Sequence, residues 1–595
     1  MPWYTLHKLL AGLRDAYALA GNAKAREVWI RLSDFCCDTI APLTDEQMQR
    51  MLDIEHGGMT EVMADLFAVT GDAKYLAAAK RFCHHKIFDP MVEGRDVLTG
   101  FHANTQIPKM IGYERIHELT GEDSFHKAAR FFWETVVENR SWITGGNSDR
   151  EHFFAAETSA GHIDSHQTAE TCNVYNMLRL TRALYAQEPK ASYLDYYERA
   201  LYNQILGGQE PKKGMFTYFQ PVGGGRFRIF SDPVNSGWCC LGTGIENPAR
   251  YTESTYWTDS KGITVGLYQP SVANWAEKGV TLRTQTRFPA ESTVDITLTT
   301  DKPQNFAVRL RVPGWLAKPM EVRVNGQMIS AKAENGYITV ERSWKSGDRI
   351  HLDLPMSVHI ETAQNDPTHV AILYGPVVLC GDLGSAGLES INFWGDNTGK
   401  ANTPAPKAPT LIADNFDALA ARVKSVADKP LTFTLDLKDQ SGPLITLRPY
   451  SEMFFCYYVA YWHCAMGAQE RKRLEEEDAQ RRQLDARTVA EVRPGEQQGD
   501  VDFKLKSERS NSGIGVEGRR WRDAQGWFSY EMQSRPNDPL CLRVTYWSGD
   551  QGRAFRILID GTEIAREKLL EDLPARYVDK EYTVPVELTR GKSAI

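Results

Sequence analysis

The sequence predicts a multidomain chain that is helical over residues 1–262 and β-rich after them. Three observations carry the prediction. Phrases of one kind recur 50 residues apart in the first part: AGNAK at Ala20, TGDAKY at Thr70 and TGEDSF at Thr120. From about Ile263 the apolar spacing changes from the 3.6-residue period of a helix to the two-residue period of a strand. The stretch 467–500 has almost no apolar face and divides the β part in two.

The 50-residue period reads as stacked helical hairpins, because a single helix pair cannot bury its apolar stripe alone. In each phrase the glycine suits the end of one helix, and the Asn, Asp or Glu after it suits the start of the next. Apolar periodicity places helices at Trp3–Leu19, Lys24–Ile40, His56–Val69, Ala73–Lys86, Thr105–Leu119, Asp123–Asn139, Ser165–Ala186, Ser192–Leu206 and Gly244–Trp257. If the hairpins close into a ring of six pairs, these nine helices leave about three to be expected before Met1.

Alternating runs such as VTLRTQTRF, STVDITLTT and FAVRLRVPGW, with turns at Asn325-Gly326 and Asn335-Gly336, predict a β-sandwich over 263–383. A further β segment over 384–466 is expected to pack on it. Residues 467–500 read as a charged linker, helical or disordered, and 501–595 as a second sandwich that presents glycan or is purely structural and stops mid-pattern at Ile595.

Composition excludes several classes. At 595 residues the chain is too long for one core, and 42% hydrophobic with 25% charged residues rules out disorder and collagen. A net charge of −8 without a polybasic tract offers no face to nucleic acid or anionic lipid. No apolar run is long enough to span a membrane. The opening MPWYTLHKLLAGLRDAY is an amphipathic helix with internal charges and no cleavage site, so it is no signal peptide.

Chemistry concentrates in two short pieces, AETC at Ala169–Cys172 and SGWCCLGTGIEN at Ser236–Asn247. They supply Glu170, Cys172, Cys239 and Cys240, and three thiols with one hard oxygen suit a borderline-soft ion such as zinc. Residues two apart point about 200° apart on a helix. Glu170 and Cys172 are therefore expected on a loop before a helix starting near Asn173, and the adjacent Cys239 and Cys240 on an irregular turn supplied by Gly237, Gly242 and Gly244. Both halves would sit at helix entrances, where the dipole favours thiolates. The plain alternative is that free cysteine packs as a small apolar residue. A rival metal set is Glu157, His162, His166 and Cys172, with His162 and His166 four apart around Asp164.

SGWCCLGTGIENPARY, with AETCNVYNMLRL, EHGGMTEVMADLFAVTGD, GFHANTQIPKMIGYE and TGGNSDREHF, resembles the β-L-arabinofuranosidases of glycoside hydrolase families 127 and 146, closer to 146. The resemblance covers residues 1 to about 465. It implies an (α/α)6-type helical toroid, here incomplete, followed by β-sandwich domains, and a retaining exo-hydrolase acting on carbohydrate. It further implies Zn2+ held by Glu170, Cys172, Cys239 and Cys240, with Cys239 as nucleophile and Glu151 as acid/base. His56, His102, Asn104, His152 and Tyr218 are implied as substrate-binding residues, and a periplasmic or secreted location is implied as well. The interval from Glu151 to Glu170 is three residues longer than family 127 implies, which keeps Glu157 as a second acid/base candidate. Two other readings stand beside this: a zinc-independent lyase or unsaturated-uronyl hydrolase on a helical toroid, and an inactive glycan-binding fragment.

Overall fold

Each 50-residue phrase closes one helix and opens the next. Gly21, Gly71 and Gly121 take positive φ of 66°, 71° and 72°, which would cost an L-residue about 1–2 kcal/mol and costs glycine nothing. Asn22 and Asp72 then accept hydrogen bonds from the amides of Ala25 and Lys74, satisfying donors that a helix start leaves open. The computed structural model describes residues 2–55, 57–395, 405–437, 444–495, 497–515, 519–570 and 575–595.

The helices are α1 (Pro2–Ala18), α2 (Ala23–Ile40), α3 (Asp45–Leu52), α4 (Met59–Thr70), α5 (Ala73–Arg81) and α6 (His85–Val92). They continue as α7 (Ala103–Thr120), α8 (Asp123–Asn139), α9 (Ala160–Ile163), α10 (Thr171–Gln187), α11 (Ala191–Ala200) and α12 (Cys239–Arg250). Pairs α1–α2, α4–α5, α7–α8 and α10–α11 pack as hairpins, while α1, α4, α7, α10 and α12 neighbour one another in that order. Burial separates this inner row from the outer one. Twelve of the 18 residues of α7 are buried, against five of 18 in α2.

Three expected helices differ from the structure. The run Ala73–Lys86 breaks at Phe82 into α5 and α6. The run Ser165–Ala186 becomes helical only at Thr171, because Thr168 and Glu170 are drawn into bridges with Asp149 and Phe219. The run Gly244–Trp257 begins five residues earlier, at Cys239, and ends at Arg250, with Tyr256–Thr258 a strand. Gly244 is inside the helix because α12 lies flush on Phe216, whose ring a Cβ would meet at 2.5 Å.

A four-stranded sheet (Tyr256–Thr258, Gly262–Val265, Gln304–Arg311, Tyr337–Trp344) and a six-stranded sheet running from Ser271–Trp275 to Gln327–Met328 share one core, making a sandwich. Asn325-Gly326 and Asn335-Gly336 both take positive φ, as their turns require. The boundary at 383 needs correction. Strands Val358–Ala363, Asp366–Tyr374 and Val377–Asp382 belong instead to a nine-stranded sheet with Ile445–Pro449 and Trp462–Met466. Alternation reveals strands but not their partners, which is why the sequence divided them differently.

The nine-stranded sheet braces the loops of the helical domain. Tyr461 Oη accepts from Ile143 N at 2.7 Å, and the Tyr450 and Tyr458 hydroxyls donate to Gln220 O and Pro221 O at 3.0 and 2.6 Å. Trp142, Phe154, Ile163 and Ala169 share a buried core with these tyrosines. The segment 141–170 is thus held against the sheet. Residues Ala468–Ile595 form a second compact unit with a helix Ala468–Arg487 and three antiparallel strand pairs among the described residues. Among the described residues no helix is long and apolar enough to cross a membrane.

Candidate active site

The inner helices bring their N-termini to one place. Glu170 is the N-cap of α10 and Cys172 lies in its first turn, while Cys239 and Cys240 open α12. One ligand atom from each of the four lies within 4.8 Å of all the others. Cys239 Sγ and Cys240 Sγ stand 3.8 and 3.7 Å from Glu170 Oε1, and 3.9 Å from each other. The irregular turn expected for the two adjacent cysteines is absent. They occupy the first two positions of a regular helix, whose side chains lean toward its N-terminus and so reach the space beyond it. Glu170 shares that space because its backbone is extended, not helical.

Burial distinguishes the three thiols. Glu170 and Cys240 are 0% exposed and Cys172 1%, whereas Cys239 is half-buried. Burial, with Cys239 and Glu151 as negative neighbours, pushes the Glu170 carboxyl well above its ordinary range. Burial also pushes Cys172 and Cys240 up, while hydrogen bonds from Cys172 and then Cys240 hold Cys239 far below the usual thiol value. Four acidic groups this close cannot all ionise unless a cation joins them. The one sulfur that reaches open space is also the one whose thiolate is favoured.

Glu151 stands across from that sulfur on a strained loop. Ser148, Arg150, Glu151 and Ala169 all take positive φ, at a cost of roughly 1–3 kcal/mol each. The loop keeps this form because it is pinned. Asn173 Nδ2 donates to Ser148 Oγ at 2.8 Å and Trp142 Nε1 to Ser148 O at 3.0 Å. Gly146 lies where a Cβ would come 2.6 Å from Ala169 Cβ. The Tyr218 hydroxyl donates to Glu151 Oε1, His102 Nε2 lies 3.6 Å from Oε2, and Cys239 Sγ lies 3.8 Å from the same Tyr218 hydroxyl. His102 first, then Tyr218, hold the Glu151 carboxyl below its ordinary range against the opposing effect of burial.

Of the other residues singled out from sequence, His152 packs edge-on to His102 at 5.3 Å. Asn104 is buried one step inside α7 and accepts from Asn176 Nδ2 at 2.8 Å. His56 lies outside the described residues. Glu157 is exposed in a short 3-10 turn. The rival metal set does not assemble. His162 Nδ1 is 2.8 Å from Asp149 Oδ2 and its ring stacks on Phe154, and among the described residues only Glu170, Cys172, Cys239 and Cys240 group as metal ligands.

Three neighbours escaped the sequence reading. Thr243 Oγ1 is 3.4 Å from Cys172 Sγ, and Trp238, the N-cap of α12, packs edge-on to Tyr218 at 5.7 Å. Tyr4 of α1 is half-buried, and burial together with the negative potential of all four ligand residues pushes its hydroxyl up to about 12. Thr243 was legible as the residue one turn after Cys240; Tyr4 had no local signal.

The donor set fits zinc in number and softness. Glu170 Oε2 is buried with no hydrogen-bond partner among the described residues, an acceptor left open in a place where buried oxygens are normally satisfied.

Known families match the same residues. "Beta-L-arabinofuranosidase, GH127 catalytic domain" matches 1–253 and the corresponding GH127 middle domain matches 262–356. Over these residues the chain belongs to the GH127 β-L-arabinofuranosidase family. The helical domain is therefore the part of the chain that matches this family's catalytic domain. A domain of unknown function matches 359–464 and a family of unknown function 483–594, so the GH127 middle domain stops where the nine-stranded sheet begins. The non-reducing end β-L-arabinofuranosidase of Bifidobacterium longum subsp. longum is 23% identical over 418 residues, which span 62% of this chain and 62% of that protein. A solved GH127 β-arabinofuranosidase superposes with a TM-score of 0.60 at 21% identity, covering 78% of this chain and 77% of the other. The GH127 β-L-arabinofuranosidase of Geobacillus stearothermophilus T6 gives 0.57 at 18%, covering 78% and 80%.

Proposed function

We propose that this chain is a retaining hydrolase that removes β-L-arabinofuranosyl units from the non-reducing ends of glycans, with Cys239 as nucleophile and Glu151 as acid/base. The observation that carries the reading is the Tyr218 hydroxyl, which touches both the Glu151 carboxylate and the half-buried Cys239 sulfur. Two groups sharing one hydroxyl stand on the scale of the roughly 5 Å separation that retention needs between nucleophile and acid. The resemblance of the phrases around Cys239 and Cys172 supports a reading closer to family 146 than to family 127.

Glu170, Cys172, Cys239 and Cys240 would hold zinc, which when bound would keep Cys239 a thiolate at neutral pH and would favour its departure as a leaving group. Cys239 Sγ attacks the anomeric carbon as Glu151 gives its proton to the departing glycosidic oxygen. A C–S bond forms as the C–O bond breaks. Glu151, now a carboxylate held by His102 and Tyr218, takes a proton from water, whose oxygen attacks the same carbon and releases Cys239. Two inversions leave the configuration unchanged. His102 and Tyr218 therefore serve as positioning groups for Glu151, and His152 steadies His102.

Hydrolysis of 4-nitrophenyl β-L-arabinofuranoside, followed by NMR of the first sugar released, tests this. The β anomer is expected to appear first. An α anomer, or an inert zinc-loaded protein, would refute the reading.

A further inference from the structure

A second cavity lies away from this site, where the helical domain meets both β domains. It encloses about 580 Å3 between the end of α8, α11, the turn at 314–316 and the strand Val358–Ala363. None of Glu151, Glu170, Cys172, Tyr218, Cys239 and Cys240 lines it. Its size falls within the roughly 300–1,000 Å3 of small-ligand pockets.

The lining alternates rigid apolar and polar surfaces. Trp315 is fixed on two sides: its Nε1 donates to buried Glu198 at 2.7 Å, and its ring stacks on Phe288 at 5.7 Å and 17°. Arg199 from α11 donates to both oxygens of Glu361 at 2.6 Å, and His359 Nε2 lies 3.2 Å from Glu361 Oε1. Arg199, His359 and Glu361 remain 28%, 29% and 33% exposed, so this triad is open to solvent and is not sealed away. A carboxylate has about four lone-pair sites and a guanidinium five N–H donors, so the triad keeps acceptors and donors side by side. That pattern fits neighbouring hydroxyls of a sugar, one donating and the next accepting.

Charge narrows the ligand. Glu138, Asp195 and Glu361 line the cavity against Arg199, with Arg311 holding Asp195 from behind at 2.5 Å. There is no surplus positive charge to attract a phosphate or a uronate. Because side chains from the helical domain and from strand Val358–Ala363 build the triad together, the cavity exists only when both are docked. We propose that it is a second, non-catalytic binding site for a neutral sugar, which retains a glycan chain while another end of it is cut.

The full chain carrying Glu151→Gln, which keeps every ligand residue, is titrated calorimetrically with a neutral L-arabinofuranosyl oligosaccharide, and with an oligogalacturonide as acidic control. Two binding events are expected with the neutral sugar. Adding Trp315→Ala weakens one of them by about tenfold or more, the loss expected when an aromatic contact is removed. His359→Ala, the milder change, weakens the same event less and serves if Trp315→Ala lowers the unfolding temperature. Trp315→Ala alone leaves turnover of 4-nitrophenyl β-L-arabinofuranoside unchanged, since none of the residues proposed for hydrolysis lines the cavity. A single event in the Glu151→Gln protein, two events that both variants leave untouched, or tighter binding of the acidic control overturns the proposal. If the parent protein is inert toward the small substrate while both events persist, the hydrolytic reading falls and the sugar-binding cavity stands.

Discussion

The chain contains two Cys-Cys pairs, and they have opposite fates. Cys36 and Cys37 lie within α2, where successive side chains diverge by about 100°. Cys36 is 0% exposed in the core and Cys37 half-buried. Burial pushes Cys36 up to about 11 and raises Cys37 as well, so both stay neutral thiols and behave as small apolar groups. Cys239 and Cys240 begin α12 instead. There the same divergence is overcome because both side chains lean past the helix start, toward a carboxylate and a third thiol from α10. Position along the helix, not the dipeptide, brings both sulfurs to one carboxylate.

The largest test of this contrast is catalytic. Cys239→Ala should lower kcat for 4-nitrophenyl β-L-arabinofuranoside by at least about 10³-fold, as loss of a nucleophile does, while Cys36→Ala and Cys37→Ala retain parental rates. Comparable losses at both pairs would abolish the distinction. Metal content sharpens it next. Purified protein should carry one zinc per chain; Cys240→Ala, Cys172→Ala and Glu170→Gln should each lose most of it, and Cys37→Ala none. Chelation should lower the unfolding temperature of the parent but not of Cys240→Ala, because a ligand bound only to the folded state stabilises it.

Much of this was legible without coordinates, for identifiable reasons. The hairpins announced themselves through Gly21, Gly71 and Gly121, residues whose backbone demands are local. Glu170, Cys172, Cys239 and Cys240 could be grouped in advance because sulfur and carboxylate in a cysteine-poor stretch are chemically conspicuous, and the structure does bring them together. What failed depended on distant partners. Thr168 and Glu170 left the helical pattern for bridges to Asp149 and Phe219, and the strands at 366–382 took partners as distant as Pro449, Val459 and His463. Tyr4 is more than 160 residues from Glu170 in sequence and nothing in its neighbourhood signals the site.

A third test asks what singles out Cys239 from Cys240. Tyr218 links Cys239 to Glu151, and its hydrogen bond favours the charged form of that carboxylate. Tyr218→Phe removes a stabiliser of the anion, so the Glu151 pKa rises. In the proposed first step Glu151 gives up a proton, so on that reading activity is lost as pH climbs through that pKa. The descending limb of the kcat/KM profile should therefore move to higher pH, by about half to one unit for one lost hydrogen bond. Movement to lower pH would show that Glu151 is not the acid. Glu157→Gln should leave both limbs in place, given its exposed position away from the ligand cluster.

The smallest effect belongs to the structural pair. Cys36→Ala deletes one buried sulfur from the helical core, where Cys36 packs among Trp29 and Ile40, and should cost about 1 kcal/mol, the range for removing a single buried heavy atom. Alanine is also the better helix former, which returns a few tenths of a kcal/mol. Cys37→Ala, only half-buried, gains the same propensity and loses less packing, so its net change should be close to zero. Urea unfolding of the two variants against the parent measures the difference directly. A Cys37→Ala protein less stable than Cys36→Ala would mean that the outward thiol, not the inward one, has the structural task, and the account of why α2 keeps its cysteines would have to be reversed.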